Sequence, residues 1–127
     1  MKIFDCFMFY DEEILLETRL NILNKYVDFF VVVESKFFHN GKPRSLNFDI
    51  NKYEKFKDKI IYIIQNEVPN GIQKINPDDS EAIKSWKQIE NALIRENGQR
   101  NFILRGLENA KNDDLILISD VDEIPNL

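Results

Sequence analysis

Four short apolar runs, separated by segments of helical periodicity, constrain the fold of this chain most strongly. The runs lie at residues 3–9, 29–33, 60–64 and 114–119 and are rich in Phe, Val, Ile and Leu. Such runs are typical of strands that are covered on both faces. Because helical segments separate them, the strands are predicted to pair mainly in parallel through right-handed crossovers. The sequence therefore predicts an α/β fold with flanking helices.

Two shorter segments between these runs have helical patterns. Asp11 is predicted to cap the first helix, which has an apolar stripe at helical spacing: Leu16, Leu20, Leu23 and Val27. A short charged helix is predicted over residues 51–59. The loops that follow the second and third strands carry Gly, Pro and Asn, which favour turns.

A longer helical segment begins at Ser80, a typical N-cap residue. Its apolar positions recur at i, i+4, i+7 and i+11 and are predicted to face the core: Ala82, Trp86, Ile89 and Leu93. Asn97-Gly98 is predicted to break or bend this helix. Residues 99–110 are predicted to continue as helix up to the last strand.

Composition excludes several classes of protein. A hydrophobic content of 43% in 127 residues is enough for one packed domain. The net charge is −5 and no basic cluster occurs, which argues against a nucleic-acid polymer as partner. No segment reaches the ~20 apolar residues of a membrane span, and without a signal peptide we expect a cytoplasmic location. The single cysteine, Cys6, is predicted to be a buried, inert thiol.

The last apolar run ends in Asp120-Val121-Asp122, the motif with the clearest chemical meaning. On an extended backbone the two carboxylates point the same way. Neighbouring carboxylates repel each other and favour a shared cation, and hard oxygen ligands suit Mg²⁺ or Mn²⁺. The same residues could also form only a solvated strand end. The preceding apolar strand favours a metal site.

Ligands of parallel sheets bind at the carboxyl ends of the strands. Helices that precede a strand also begin at this edge, so Arg100 is expected near Asp120. The only histidine, His39, lies in a Gly/Pro loop and could be a surface residue or a substrate contact. The residues predicted at the edge are Tyr10, Asp11, Glu12, Glu34, Asn97, Gln99, Arg100, Asn101, Asp120, Asp122 and Glu123.

Four stretches, taken in order, cover most of the chain and carry a family resemblance. They are residues 1–34, the loop Glu34-Ser35…His39-x-Gly41-Lys42-Pro43, the segment Glu96-Asn97-x-Gln99-Arg100-Asn101 and the motif Ser119-Asp120-Val121-Asp122-Glu123-Ile124-Pro125. Together they resemble glycosyltransferase family 17. The resemblance implies a GT-A-like, Rossmann-like fold and transfer of a sugar, of the N-acetylglucosamine type, from a UDP-sugar donor to a glycan acceptor with inversion.

The resemblance also implies roles for residues at the sheet edge. Asp120 and Asp122 would bind Mn²⁺ or Mg²⁺, which bridges the donor diphosphate in such enzymes. From their position at the sheet edge, the residues expected to contact the bound donor are Tyr10, Glu34, Arg100, Asn101 and Asp120. No residue is assigned as the catalytic base.

A complete enzyme of this type would be longer. We expect residues 1–127 to be the single N-terminal nucleotide-sugar-binding part, truncated after the Asp-x-Asp strand. Alone, it is expected to have little or no transferase activity. An uncovered sheet face or edge could also drive self-association.

Two other functions remain open from the sequence. A haloacid-dehalogenase-type phosphatase also has Asp-x-Asp after an apolar strand, with the two residues as nucleophile and general acid. In that family, however, the motif usually opens the domain, whereas here it closes the chain. A non-catalytic nucleotide- or metal-binding fragment is the second alternative.

Overall fold

The computed structural model describes residues 1–127 and is an α/β domain. In chain order its elements are β1 (Ile3–Phe9), α1 (Glu13–Leu23), β2 (Phe29–Ser35), the 3₁₀ helix η1 (Ile50–Lys59), β3 (Ile60–Gln65), α2 (Glu81–Asn101), the 3₁₀ helix η2 (Phe102–Leu107) and β4 (Leu115–Ile118). All four predicted strands are present, and every strand pair is parallel. The predicted fold class is therefore confirmed.

The strands lie in the order β3-β2-β1-β4. From β1 the chain adds β2 and then β3 on one side, and it returns across the sheet to add β4 on the other side of β1. The topology therefore reverses between β1 and β4. In open α/β sheets such a switch point leaves a crevice at the carboxyl ends of the strands, where ligands bind.

Each face of the sheet has its own hydrophobic core. The face under α1 and η1 buries Phe7, Phe9, Leu16, Leu20, Leu23, Val27, Phe30, Val32, Tyr53, Phe56 and Val121. The opposite face, under η2, buries Phe4, Cys6, Val31, Val33, Phe102 and Ile103. Right-handed crossovers explain the two faces, because the connection to β4 runs in the opposite direction from the first two. The predicted stripe of the first helix is confirmed, although Val27 follows the end of α1.

The predicted core stripe of α2 is wrong. Trp86, Ile89 and Leu93 are 53%, 68% and 50% exposed, and Ala82 is exposed as well. A helix of 21 residues is ~31 Å long, whereas strands of four to seven residues span ~13–23 Å. The N-terminal half of α2 therefore extends beyond the sheet and has no strand to cover it.

Two local predictions at helix ends are also wrong. The helix does not break at Asn97-Gly98, since α2 continues to Asn101. A Cβ on Gly98 would lie 3.0 Å from Cβ of Pro69, so this glycine permits a loop to approach the helix closely. Asp11 does not cap α1, because Glu12 occupies the N-cap position and its side chain makes no capping hydrogen bond. The predicted cap at Ser80 is confirmed, and its hydroxyl accepts from the Ile83 amide.

β3 and β4 are the edge strands of the sheet. Leu115 and Ile118 on β4 are 42% and 55% exposed, so this edge presents apolar side chains to solvent. Self-association through it stays a prediction. None of the helices is both long enough and apolar enough to cross a bilayer.

Cys6 is expected to resist alkylation in the folded chain. It lies in central strand β1 with no exposed surface, and burial, reinforced by the charge of Asp5, raises the pKa of its thiol to about 12. The reactive thiolate is therefore scarce at pH 8. Mass spectrometry after iodoacetamide treatment should find labelling at least ~100-fold slower in the native chain than in urea. Equal rates would show that β1 opens readily.

Candidate functional site

A cavity of about 280 Å³ opens at the carboxyl edge of the sheet, where the topology switches between β1 and β4. It is lined by Met8, Tyr10, Glu12, Leu15, His39, Glu96, Asp120, Val121 and Asp122. Parallel pairing explains this arrangement, because Cys6 pairs with Ile118 and the two chains leave the sheet side by side. The structure thus brings Tyr10, Asp120 and Asp122 together, as predicted from the edge geometry.

The cavity is acidic, since four carboxylate side chains line it: Glu12, Glu96, Asp120 and Asp122. The Asp120 side chain is 59% exposed, and its Oδ1 lies 4.0 Å from Nη2 of Arg100. The same guanidinium donates to Glu96 at 3.2 Å. The expected proximity of Arg100 and Asp120 is therefore present. Arg100 therefore also pairs within its own helix.

A tight turn carries the two aspartates. The Glu123 amide donates to the Asp120 carbonyl at 2.9 Å, and the Asp120 amide donates to the Glu123 carboxylate at 3.1 Å. The Ser119 hydroxyl donates to the Glu123 carbonyl at 3.0 Å. Glu123 therefore closes this turn and does not line the cavity. The bonds hold Asp120 and Asp122 on a fixed backbone.

Beneath this turn lies a buried ion pair. Arg19 of α1 and Asp5 of β1 have no exposed side-chain surface. Arg19 donates to both Asp5 oxygens, from Nε at 2.8 Å and from Nη2 at 2.6 Å. The guanidinium also lies over the Phe7 ring, 4.6 Å from its centre. Such a two-pronged pair fixes both the position and the plane of the guanidinium.

The remaining donors of Arg19 bind the turn itself. Nη1 donates to the carbonyls of Asp120, Val121 and Glu123 at 2.6, 3.2 and 3.1 Å, and Nη2 donates to the Ser119 hydroxyl at 2.6 Å. One buried cation therefore ties α1 and β1 to the backbone of the Asp-x-Asp turn. We call these bonded residues the Arg19 network: Asp5, Arg19, Ser119, Asp120, Val121 and Glu123.

The sequence prediction missed the Arg19 network, although one signal was visible. Asp5 interrupts an apolar run that is otherwise suited to a strand buried on both faces. A carboxylate in that position needs a buried partner. Arg19, next to Leu20 on the apolar stripe of the first helix, was available as that partner.

Tyr10 forms the opposite wall of the cavity. Its hydroxyl donates to Gln99 Oε1 at 2.5 Å and is hydrogen-bonded to His39 Nε2. Gln99 in turn donates to the Val33 carbonyl at 3.2 Å. Burial, reinforced by the charge of Glu96, raises the pKa of the Tyr10 hydroxyl well above its ordinary value. Tyr10 is therefore a neutral phenol at physiological pH.

Glu34 lies beneath the cavity and does not line it. Its carboxylate is fully buried and accepts from the amides of Asn47 and Phe48 at 2.7 and 3.0 Å and from the Tyr62 hydroxyl at 2.6 Å. Arg44 Nη1 completes the site at 3.0 Å. Burial, together with the bond to Glu34, raises the pKa of Tyr62. Glu34 thus has a structural role, and its predicted contact with a donor would require displacing these partners.

The loop that Glu34 holds in turn supports Tyr10. Arg44 Nη2 and Asn47 Nδ2 donate to the Tyr10 carbonyl at 2.8 and 2.7 Å. Asn101 is exposed at the end of α2 and does not line the cavity. Asn97 and Asp11 are exposed as well and are absent from its wall. The predicted contact between Asn101 and the donor stays a prediction.

The side chains of the cavity supply some, but not all, of the ligands that a hard cation needs. No three acidic, His or Cys side chains group closely enough to hold a metal ion by themselves. Asp120 and Asp122 supply two carboxylates on a rigid turn, and both are accessible. Mg²⁺ is commonly bound in this way, by one or two carboxylates with water and substrate phosphates as the other ligands. The residues present therefore fit such a cation.

Comparison with known proteins identifies a family and individual relatives of this chain. The sequence model of Glycosyltransferase family 17 matches residues 1–127. Over 115 residues the chain is 31% identical to the Beta-1,4-mannosyl-glycoprotein 4-beta-N-acetylglucosaminyltransferase of Homo sapiens and to that of Rattus norvegicus. Each alignment covers 87% of this chain but only 19% of the relative, so the chain spans about a fifth of the length of these proteins. No solved structure gives a significant match.

Proposed function

The chain belongs to glycosyltransferase family 17, and on this premise we propose that it forms the donor-binding part of an N-acetylglucosaminyltransferase-type enzyme. In this proposal a UDP-sugar binds at the cavity between β1 and β4, and its sugar is transferred to a glycan acceptor with inversion. One observation supports the proposal most strongly. The Asp-x-Asp pair is accessible, and it lies on a hydrogen-bonded turn at the topological switch point of a parallel sheet.

Asp120 and Asp122 would hold Mn²⁺ or Mg²⁺ in this reaction, with the diphosphate oxygens completing its coordination shell. The bound cation supplies positive charge that stabilises the leaving diphosphate. The Arg19 network has its effect before any ligand arrives, because it fixes the backbone that carries both carboxylates. Carboxylates that the fold already holds in place do not have to rearrange when the cation binds.

Other residues can orient the donor: Arg100, which is not part of the cavity wall but lies beside Asp120, and Tyr10 and His39 of the wall. Arg100 lies 4.0 Å from Asp120, so it can direct a guanidinium toward a phosphate that binds beside this aspartate. Tyr10 and His39, which are hydrogen-bonded to each other, also line the cavity and can contact the donor. In the transfer itself, an acceptor hydroxyl attacks the anomeric carbon as the bond to the diphosphate breaks. A carboxylate base takes the hydroxyl proton.

Family membership favours this proposal over the phosphatase alternative. A dehalogenase-type phosphatase needs an accessible aspartate as its nucleophile, and Asp120 is accessible. The family model that matches residues 1–127 is that of a glycosyltransferase, and this supports sugar transfer. The alternative of a non-catalytic binding fragment predicts the same donor binding, so a binding experiment tests what the two share.

The proposal is tested by calorimetric titration of the chain with UDP in the presence of Mn²⁺. Asp122→Asn is expected to weaken metal-dependent binding by at least ~10–100-fold, the loss typical of disturbing even the outer shell of a metal site. Asp58→Asn serves as matched control, since Asp58 is exposed on η1, away from the cavity. UDP binding of equal strength in EDTA, or equal loss in both variants, would refute the metal site.

A further inference from the structure

A second cavity, of about 580 Å³, lies against the middle of α2, at residues 88–95. The loops around residues 40–42 and 72–75 close its other sides. Its volume falls within the range of small-molecule sites. The lining residues are Asn40, Lys42, Ile72, Gln73, Ile75, Gln88, Asn91, Ala92 and Arg95.

The electrostatic character of this second cavity is opposite to that of the first. Its wall contains Lys42 and Arg95 but no carboxylate, although the protein has a net charge of −5. Four amide side chains are the other polar groups of the wall: Asn40, Gln73, Gln88 and Asn91. The Asn91 amide is already bonded at both ends to the backbone of Gln73, at 2.8 and 2.9 Å. The other three amides each keep an NH₂ group that can donate to a ligand. The cavity therefore suits a ligand that combines negative charge with hydroxyl groups.

Arg95 stands apart from every other arginine of the chain. The others each have a carboxylate oxygen within 4.0 Å, on Asp5, Glu34, Glu96 or Glu67. The guanidinium of Arg95 has none and donates only to the His39 carbonyl, at 3.1 Å. A half-buried guanidinium without a counter-charge is a ready partner for an anion.

The backbone of the neighbouring loop holds this guanidinium in place. Gly41 has a φ of +87°, and a Cβ there would lie 2.6 Å from Nη2 of Arg95. The guanidinium therefore packs directly on Gly41, whose positive φ favours glycine at this position. Glu67, which borders Arg95 on its other side, is already paired with Arg105 at 3.2 Å.

We propose that the second cavity binds an acidic saccharide, a sugar unit that carries a carboxylate or a phosphate group. Arg95 and Lys42 bind the anionic group, and the amides of Asn40, Gln73 and Gln88 bind sugar hydroxyls. Ile72, Ile75 and Ala92 offer apolar surface to the C–H faces of the ring. Because Arg95 has no counter-charge of its own, we expect the anionic group to bind at the Arg95 side of the cavity.

The position of the second cavity relates it to the first. A narrow cavity between them is lined by both His39 and Arg95. His39 also lines the first cavity, and Arg95 also lines the second. A glycan acceptor could therefore place its acidic unit in the second cavity while its reacting hydroxyl lies near the Asp-x-Asp turn. This acceptor role rests on the proposed function, whereas binding of an acidic sugar does not.

NMR titration of the isotope-labelled chain tests the site with four probes: sodium glucuronate, glucose 6-phosphate, glucose and inorganic phosphate. The two acidic sugars are expected to bind at least ~10-fold more tightly than glucose and to shift the amides of residues 40–42 and 91–95. Lys42→Gln should remove most of this preference without unfolding the chain, since Lys42 is exposed. Arg95→Lys keeps the charge but loses the planar fork, and should weaken binding as well.

The control variant is Lys57→Gln, because Lys57 is likewise exposed but lies on η1. Equal binding of glucose and glucuronate, or equal effects of the two glutamine substitutions, would overturn the proposal. Inorganic phosphate bound as tightly as glucose 6-phosphate would show a simple anion site and overturn it too. UDP binding with Mn²⁺ is measured on the same samples. Loss of UDP binding with retained glucuronate binding would refute the proposed function and not this site.

Discussion

Arg19→Met is expected to lower the free energy of unfolding by ~3–5 kcal/mol, because it leaves the buried carboxylate of Asp5 without its partner. Domains of this size are stable by only ~5–15 kcal/mol, so the loss is a large fraction of the total. Urea unfolding followed by fluorescence measures it. The exposed pair of Arg105 and Glu67 provides the control, and Arg105→Met should change stability by less than ~1 kcal/mol.

A double variant separates folding from the positioning of the turn. Replacing Asp5 by Leu together with Arg19→Met removes both buried charges and should recover much of the lost stability. The carbonyls of Asp120, Val121 and Glu123 nevertheless remain without their shared donor. We therefore expect a folded chain whose Mn²⁺-dependent UDP binding stays at least ~10-fold weaker. Full recovery of UDP binding in the double variant would show that Arg19 does not position the Asp-x-Asp turn.

Glu34→Gln is expected to destabilise the chain by a similar ~3–5 kcal/mol. The substitution keeps the shape of the side chain but leaves Arg44, whose side chain is 3% exposed, without its counter-charge. It also turns an NH₂ group toward donors that now bind a carboxylate: Asn47, Phe48 or Tyr62. Urea unfolding tests this prediction, with Glu54→Gln as control because Glu54 is exposed on η1.

Hydrogen exchange should locate the damage in the Glu34→Gln chain. The amides of Asn47 and Phe48 are expected to exchange faster, since both now donate to Glu34. The loop also supports Tyr10 through Arg44 and Asn47, so the wall of the first cavity should loosen with it. A stability loss below ~1 kcal/mol would mean that water replaces the carboxylate in the variant.

The strands were predictable because their signals are local. The predicted β1 has the observed bounds, and the predictions for the other strands differ at their ends by one or two residues. Glu34 and Ser35 belong to β2 rather than to the following loop, because the strand runs on to a buried carboxylate. From sequence alone, a polar residue after an apolar run predicts the end of the strand, because its buried partners are not visible in the sequence.

The error at α2 has a different cause. The apolar stripe with Trp86 and Ile89 has the correct helical period, and the helix forms. Whether a stripe is covered depends on the length of the sheet beneath it, which no local pattern encodes. The periodicity predicted the helix correctly and its burial wrongly.

The sequence by itself determined the strands, their parallel pairing and the position of Asp120 and Asp122 at a carboxyl edge, because side-chain period and crossover handedness are properties of short segments. Only the tertiary structure decided that β4 pairs with β1, which places Asp120 opposite Tyr10. The same packing decided that Arg19 joins Asp5 to the Asp-x-Asp turn across about a hundred residues of chain. Strand order and buried pairs depend on which surfaces, far apart in the sequence, pack against one another. The burial of apolar surface in the whole domain determines that packing.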